Sequence, residues 1–132
     1  MKVETIFILS LSEQYTDPDE WSQEIGLMPL RICKKGERVS PNPRALISPN
    51  SYWVFGIKCY PENTVEDQLS RVLDQVYDKK NKILNLTKRL KLDVKINTYV
   101  WIDDLSDLSV IFSNDVLKKM AELGILFTFT RY

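Results

Sequence analysis

Side chains that carry out most enzyme chemistry are scarce in this sequence of 132 residues. Histidine is absent, which excludes an imidazole base, proton shuttle or metal ligand within the chain. The four isolated glycines cannot form a dinucleotide-binding fingerprint or a P-loop. Cys33 and Cys59 match no CxxC motif and are too few to close a tetrahedral zinc site, so we expect two buried, inert thiols. We therefore predict no cofactor and no metal, while carboxylate, lysine and tyrosine chemistry stays open.

Three carboxylates lie close together after Trp101, at Asp103, Asp104 and Asp107. Carboxylate oxygens in this spacing could receive a divalent cation or pair with a basic partner protein. An EF-hand loop needs more oxygen ligands and a glycine, neither of which this segment supplies. A polar turn between two strands is the alternative interpretation of these three residues.

Aromatic residues and arginines form a second candidate site. The large aromatic side chains that we expect on one sheet face are Trp53, Phe55, Tyr99 and Trp101. They would line a pocket, anchor an interface, or form core beneath a helix. Arg38 and Arg44 lie in the proline-rich loop beside the first of these strands. They are candidate recognition residues, with solvated loop charges as the alternative.

Charge argues against nucleic acid as the partner. The chain has 18 basic and 18 acidic residues, so no overall field attracts a polyanion. The densest basic segment runs from Lys79 to Lys91, and Tyr77 is the aromatic residue near it. A site for single strands needs interleaved aromatics, so a solvated helix face is the better interpretation of this segment.

Composition is that of one folded domain. Hydrophobic residues make up 44% of the chain and charged residues 27%, which excludes intrinsic disorder. We expect no signal peptide, because Met1-Lys2-Val3 leads straight into an alternating stretch, and no apolar stretch approaches the roughly 20 residues that span a bilayer. We therefore expect a cytoplasmic protein with no membrane association.

Hydrophobic periodicity predicts the elements that would position these residues. The expected strands cover residues 3–11, 30–33, 51–58, 92–102, 108–112 and 125–129. Helices are predicted after Asp17, after Thr64, near Ile83 and over residues 114–123, the last with Val116, Leu117, Met120 and Ala121 packed inward. Residues 39–50, rich in proline and serine, are predicted to be a loop.

This element order predicts a single α+β domain over residues 1–132. Its sheet should be mostly antiparallel, with helices packed on one face. The arrangement follows the ferredoxin-like style, with an additional strand–helix–strand unit.

Several short motifs resemble a known family. Lys34-Lys35-Gly36-Glu37 precedes Ser51-Tyr52-Trp53, and Asp17-Pro18-Asp19-Glu20 opens a helix that ends in Ile25-Gly26. With the closing strand Ile125–Phe129, these motifs resemble the DUF4279 family, small bacterial proteins known only as a domain of unknown function. The resemblance implies an α+β fold and a bacterial cytosol, and it brings no catalytic residues. Members often end in an acidic strand, whereas this chain ends in Thr130-Arg131-Tyr132.

The leading hypothesis is a non-catalytic protein-binding module. It would be an immunity protein, acting like an antitoxin by blocking a toxin domain through surface complementarity. Asp103, Asp104 and Asp107 would contact a basic partner.

Two alternatives stay open. The first is a small-molecule binder or an enzyme using carboxylate and tyrosine chemistry in a sheet-face pocket, with Glu37, Arg44, Tyr52 and Trp53 as its residues. The second is a homodimer that pairs sheet edges.

Overall fold

A computed structural model of the chain describes residues 2–11, 16–58, 64–102 and 109–132. Within these residues the strands are β1 (Lys2–Leu11), β2 (Arg31–Cys33), β3 (Ser51–Gly56), β4 (Asp93–Trp101) and β5 (Leu126–Arg131). The helices described there are α1 (Pro18–Ile25), α2 (Val65–Asp78), α3 (Lys80–Leu90) and α4 (Asn114–Leu123). Cys59, Asp103, Asp104 and Asp107 lie outside the described residues.

The strands form one sheet in the order β2-β3-β1-β4-β5. The first four strands in this order pair antiparallel, and β5 pairs parallel with β4. The antiparallel part has the ferredoxin-like strand order, and β4-α4-β5 is the additional strand–helix–strand unit. The predicted fold class is confirmed.

Local sequence signals start and end the helices. The Asp17 side chain accepts a hydrogen bond from the backbone N–H of Asp19 at 3.0 Å, and Gly26 ends α1 in the left-handed conformation at φ 81°. At α2, Thr64 and Asp67 cap each other's backbone N–H groups in a capping box. These caps fix where α1 and α2 meet the sheet.

All four helices supply side chains to one hydrophobic core. The largest fully buried members are Trp21, Ile25, Trp53, Phe7, Leu9, Leu69, Leu73, Ile83, Leu86, Ile96 and Leu123. A buried polar pair accompanies them, because the hydroxyl oxygens of Thr5 and Thr98 lie 3.0 Å apart between two central strands. Each hydroxyl satisfies the other, as buried polar groups require.

Strand register separates the aromatic residues onto two faces. Leu9 lies opposite Trp53 on one side and Val94 on the other, so these residues share the side that the helices cover, here the helix face. Tyr99 and Trp101 alternate with Val94 along β4 and lie on the other side, here the open face. The expectation that all four large aromatics share one face is therefore wrong, because Trp53 and Phe55 belong to the helix face.

Two other expectations are corrected near the C-terminal end. Residues 109–112 form no strand, although a strand was expected over residues 108–112. On α4, Met120 and Leu123 are the buried residues, whereas Leu117 is 48% exposed and Ala121 is exposed as well. The helix is thus rotated relative to the predicted inward face, because Leu123 reaches the core in the last turn.

Residues 39–50 contain no helix or strand, so the predicted loop is confirmed. Together with residues 34–38 this loop forms a hairpin-like excursion, here called the arm (residues 34–50). Its two sides are tied by backbone hydrogen bonds from Gly36 to Ser48 at 2.9 Å, from Ser48 to Glu37 at 2.8 Å and from Val39 to Leu46 at 3.0 Å. The base of the arm is fixed by Lys34, whose ammonium lies 3.4 Å from Asp17 and 3.2 Å from Asp19.

Candidate functional site

A cavity of about 410 Å³ lies between the arm and the open face. Its floor is apolar and comes from Ile6 and Ile8 of β1 and Val54 of β3. Ile6 and Val54 are only 2% and 4% exposed, although they point away from the helices. The arm therefore gives the open face a second, smaller covered region. Its volume is within the range of small-molecule sites.

Two tyrosines, Tyr52 and Tyr99, line this cavity, and their hydroxyls are held in the same way. Asn50 donates an amide hydrogen bond to the Tyr52 hydroxyl at 2.9 Å, and Asn97 donates to the Tyr99 hydroxyl at 3.2 Å. In each case the amide lies two residues before the tyrosine. A hydroxyl that accepts from an amide keeps its own proton for donation to a further acceptor. Both tyrosines are thus oriented as hydrogen-bond donors.

Charged residues line the rim. Arg31 of β2, and Glu37 and Arg38 of the arm, contribute to the cavity wall and are all exposed. One guanidinium nitrogen of Arg38 donates to the carbonyl of Ala45 at 3.0 Å, which anchors the group while leaving further N–H donors. Cys33 also lines the cavity and is half-buried, so it is less buried than we predicted.

Beyond the cavity, the open face carries a stacked aromatic group. The Trp101 and Tyr132 rings lie 5.4 Å apart and nearly parallel, at 13°. Tyr99 stacks on Tyr132 at 6.3 Å, and the Lys2 ammonium lies 4.8 Å from the Trp101 ring centre. The three rings therefore form one packed aromatic group on the open face. Tyr99 joins this group to the cavity.

The arm exposes apolar side chains together with its cations. Val39, Leu46 and Ile47 are 59%, 79% and 58% exposed, and their backbones belong to the ordered part of the arm. Residues 31–50 contain five basic side chains and one acidic side chain, Glu37. Exposed aliphatic groups and exposed arginines therefore occur together on the arm and the adjacent β2, where Lys34 is the cation paired with Asp17 and Asp19.

Charged groups on the helical side are paired with one another instead. Glu122 of α4 accepts from the Tyr77 hydroxyl at 2.5 Å and from the Lys80 ammonium at 3.0 Å. These two hydrogen bonds hold the pKa of Glu122 below its usual value. The hydrogen bond between Tyr77 and Glu122 also raises the pKa of Tyr77. Lys119 bridges Asp74 and Asp115 at 2.8 and 2.9 Å, which raises its pKa.

The basic segment on α3 is similarly engaged. Arg89 makes a two-point ion pair with Glu24 of α1, at 2.9 and 2.7 Å, and this contact lowers the pKa of Glu24. The ammonium groups of Lys79 and Lys82 lie beside Gly26, at the carboxyl end of α1, where the helix dipole favours positive charge. Most of this segment's charge therefore serves helix packing.

The structure describes three of the six predicted site residues. Arg38 is at the cavity rim, and Arg44 is exposed near the end of the arm. Trp53 is fully buried and its indole N–H donates to Ser22 at 2.8 Å, so this side chain is a core residue that no surface partner can contact. The three predicted carboxylates, Asp103, Asp104 and Asp107, lie outside the described residues.

Sequence reasoning missed Arg31 and placed Tyr99 only on a sheet face. The strand alternation at 92–102 did signal that Tyr99 points away from the helices. No local sequence pattern connects Tyr99 to the arm, because residues 34–50 are distant from it in the chain. Glu37 and Tyr52, which we named for a possible pocket, do line the cavity.

The described part of the chain offers neither a metal-binding cluster nor a membrane-spanning helix. Among the described residues, no group of three His, Cys, Asp or Glu side chains is arranged to hold a metal ion. Within the same part of the chain, no helix has the length and apolar character needed to cross a bilayer.

Comparison with known proteins gives one match. A family model described as "Domain of unknown function (DUF4279)" matches residues 3–132. Neither the curated proteins nor the solved structures gave a match to the chain.

Proposed function

The chain belongs to the DUF4279 family, and we propose that it is a non-catalytic protein-binding module that recognises an acidic surface of a partner protein. The arm and the open face beside it form the recognition surface. In this proposal the protein works in the bacterial cytosol as an immunity protein. It covers a toxin domain by surface complementarity rather than by chemistry.

The observation that carries this proposal is the arm itself. Leu46 is 79% exposed, yet the backbone beside it is held by a hydrogen bond between Val39 and Leu46. An ordered backbone lowers the entropy cost of binding, and exposed aliphatic groups gain free energy when a partner removes them from water. Such groups are typical of an interface core, with charges at its rim.

Charge complementarity selects the kind of partner. Arg38 and Arg44 lie on the arm and Arg31 lies on the adjacent strand, with Glu37 as the acidic residue among them. An arginine fork pairs well with carboxylates, and positive potential speeds encounter with an acidic surface. An acidic partner therefore fits this end of the molecule better than a basic one.

The aromatic group supports a protein partner rather than a single-stranded nucleic acid. Base stacking needs an accessible ring face. Trp101 stacks on Tyr132 and also has the Lys2 ammonium over its ring, so it already makes aromatic and cation contacts within the protein. Tyrosine and tryptophan rings, which combine an apolar body with a polar group, are well suited to protein contacts.

The proposal is tested by affinity capture from the native host with matched variants. The arm variant Arg44→Ser/Leu46→Ser removes one exposed cation and one exposed aliphatic group. The control variant Leu117→Ser/Lys118→Ser removes the same two kinds of group from α4 on the helical side. We expect a stoichiometric protein with the wild type and the control, and its loss with the arm variant.

Binding of the purified partner should also weaken with salt, because surface charges are screened. Equal capture by the arm variant and the control would refute the assignment of the surface. A turnover activity of the purified protein, in place of a bound partner, would refute the non-catalytic role.

A further inference from the structure

We propose that the cavity beneath the arm binds a small organic carboxylate with a planar apolar body. This inference goes beyond protein recognition by the arm, and it can hold or fail without it. The cavity is formed by residues distant in sequence, from β1, β2, β3, β4 and the arm. Its lining combines an apolar floor with donors around the edge, which is the usual composition of a small-molecule site.

The apolar part of the ligand is specified by the floor and the rings. Ile6, Ile8 and Val54 offer only aliphatic surface, and Tyr52 and Tyr99 add aromatic residues to the lining. A planar body between the arm and the sheet would displace water from these groups and contact the rings. A cavity of about 410 Å³ is large enough for a bicyclic aromatic body.

The anionic part is specified by the polar groups of the lining. The two arginines at the rim outnumber the single carboxylate, Glu37, so the local charge is positive. Arg38 is anchored by its bond to Ala45 and still presents N–H groups that fit a carboxylate in two-point geometry.

The tyrosine hydroxyls add to this preference. Both Tyr52 and Tyr99 line the cavity and accept from an asparagine amide, so the proton of each hydroxyl stays available for donation to a ligand. A carboxylate accepts such bonds, whereas an ammonium group cannot. The donor set thus favours an anion over a cation of the same size.

The probes are naphthoate and its uncharged analogue naphthamide, titrated into the purified protein without any partner. Binding is followed by the methyl NMR signals of Ile6 and Ile8 and by calorimetry. We expect saturable binding of naphthoate with a Kd below about 1 mM and a preference over naphthamide of roughly tenfold to hundredfold. Non-saturable shifts up to about 10 mM, or equal affinity for the two probes, would overturn the proposal.

Variants separate the cavity from the arm surface. Tyr99→Phe removes one donor without changing the apolar lining and should weaken naphthoate by roughly tenfold. Arg38→Gln should weaken it further, whereas Arg44→Gln, a cation on the same arm outside the cavity lining, should leave it unchanged. Loss of naphthoate binding in Arg44→Gln, or full retention in both other variants, would contradict the site.

Alkylation of Cys33 supplies a readout that is independent of the binding titrations. In a Cys59→Ser background, naphthoate should slow alkylation of Cys33, which lines the cavity, and naphthamide should slow it less. If only the cavity proposal is wrong, the protein still captures its partner but naphthoate does not protect Cys33. If only the partner proposal is wrong, naphthoate still protects Cys33 but no partner is captured. The two proposals therefore fail separately.

Discussion

The two faces of the sheet differ in how their charged side chains are paired. On the helical side, the cations Lys80, Lys119 and Arg89 each meet a carboxylate within 3.0 Å. On the open face, arginines surround a cavity in which Glu37 is the acidic lining residue. The helical side therefore resembles structural scaffolding, and the open face has the composition of a binding surface.

The largest difference in stability between the two faces is expected from two adjacent residues of β3. Trp53 is 0% exposed in the core, whereas its neighbour Tyr52 lines the cavity on the open face. We expect Trp53→Ala to lower the free energy of unfolding by about 3–5 kcal/mol, because it leaves a large cavity. Tyr52→Ala should cost about 1 kcal/mol.

Urea denaturation of both variants gives the comparison directly, with unchanged m values as the sign that two-state unfolding is preserved. Similar losses in the two variants would show that the faces do not differ in this way.

The buried hydroxyl pair tests the helix face on a smaller scale. Thr5→Val or Thr98→Val alone should cost about 1–3 kcal/mol, because the remaining hydroxyl loses its partner away from water. The double variant should be much closer to the wild type, since no polar group is then left unpaired.

On the open face, Thr128→Val should change stability by at most about 0.5 kcal/mol, because Thr128 is exposed and water can replace its bond to Asn97. Additive losses in the buried double variant, measured by the same denaturation, would refute the pairing.

Acid sensitivity distinguishes the charges of the helical side. Tyr77 and Lys80 lower the folded-state pKa of Glu122. The stability that ionised Glu122 contributes is therefore present above its unfolded-state pKa, and it is lost as the pH falls through the folded-state pKa. Between about pH 5 and pH 3, the unfolding midpoint of the wild type should fall more steeply than that of Glu122→Gln.

Tyr77→Phe serves as the intermediate case, because it removes one of the two hydrogen bonds and keeps the Lys80 contact. The unfolding midpoints are measured by thermal melts across this pH range. Parallel plots of midpoint against pH for the wild type and Glu122→Gln would show that the network does not favour the ionised carboxylate.

The smallest effect is expected on the arm. Leu46→Ser should alter the free energy of unfolding by no more than about 0.5 kcal/mol, since the side chain is 79% exposed and contributes little to the core. The same change should reduce partner capture strongly. A large loss of stability, seen in denaturant titration, would mean that Leu46 packs within the fold and is not an exposed side chain available to a partner.

Sequence patterns predicted those features that depend on neighbouring residues. The caps at Asp17 and Thr64 follow from local hydrogen bonding, and the alternation along β4 follows from burial of one side of that strand. The fold class follows from the order of such elements.

Features that depend on distant residues could not be predicted in the same way. Strand β3 is apolar on both sides, since Tyr52 and Val54 alternate with Trp53 and Phe55. Its pattern therefore does not reveal which side the helices cover, and pairing with β1 decides it. Proline and serine marked the arm as a loop, but its cross-arm hydrogen bonds and its position over the sheet are tertiary facts.

In the proposed function, recognition occurs at the open face and not on the helical side. Hydrogen–deuterium exchange can locate the contact surface by comparing backbone protection in the complex captured from the native host with that in the free protein. We expect new protection in the arm, residues 34–50, and little change in α2, α3 and α4. Protection confined to those helices, with the arm unchanged, would contradict this proposal.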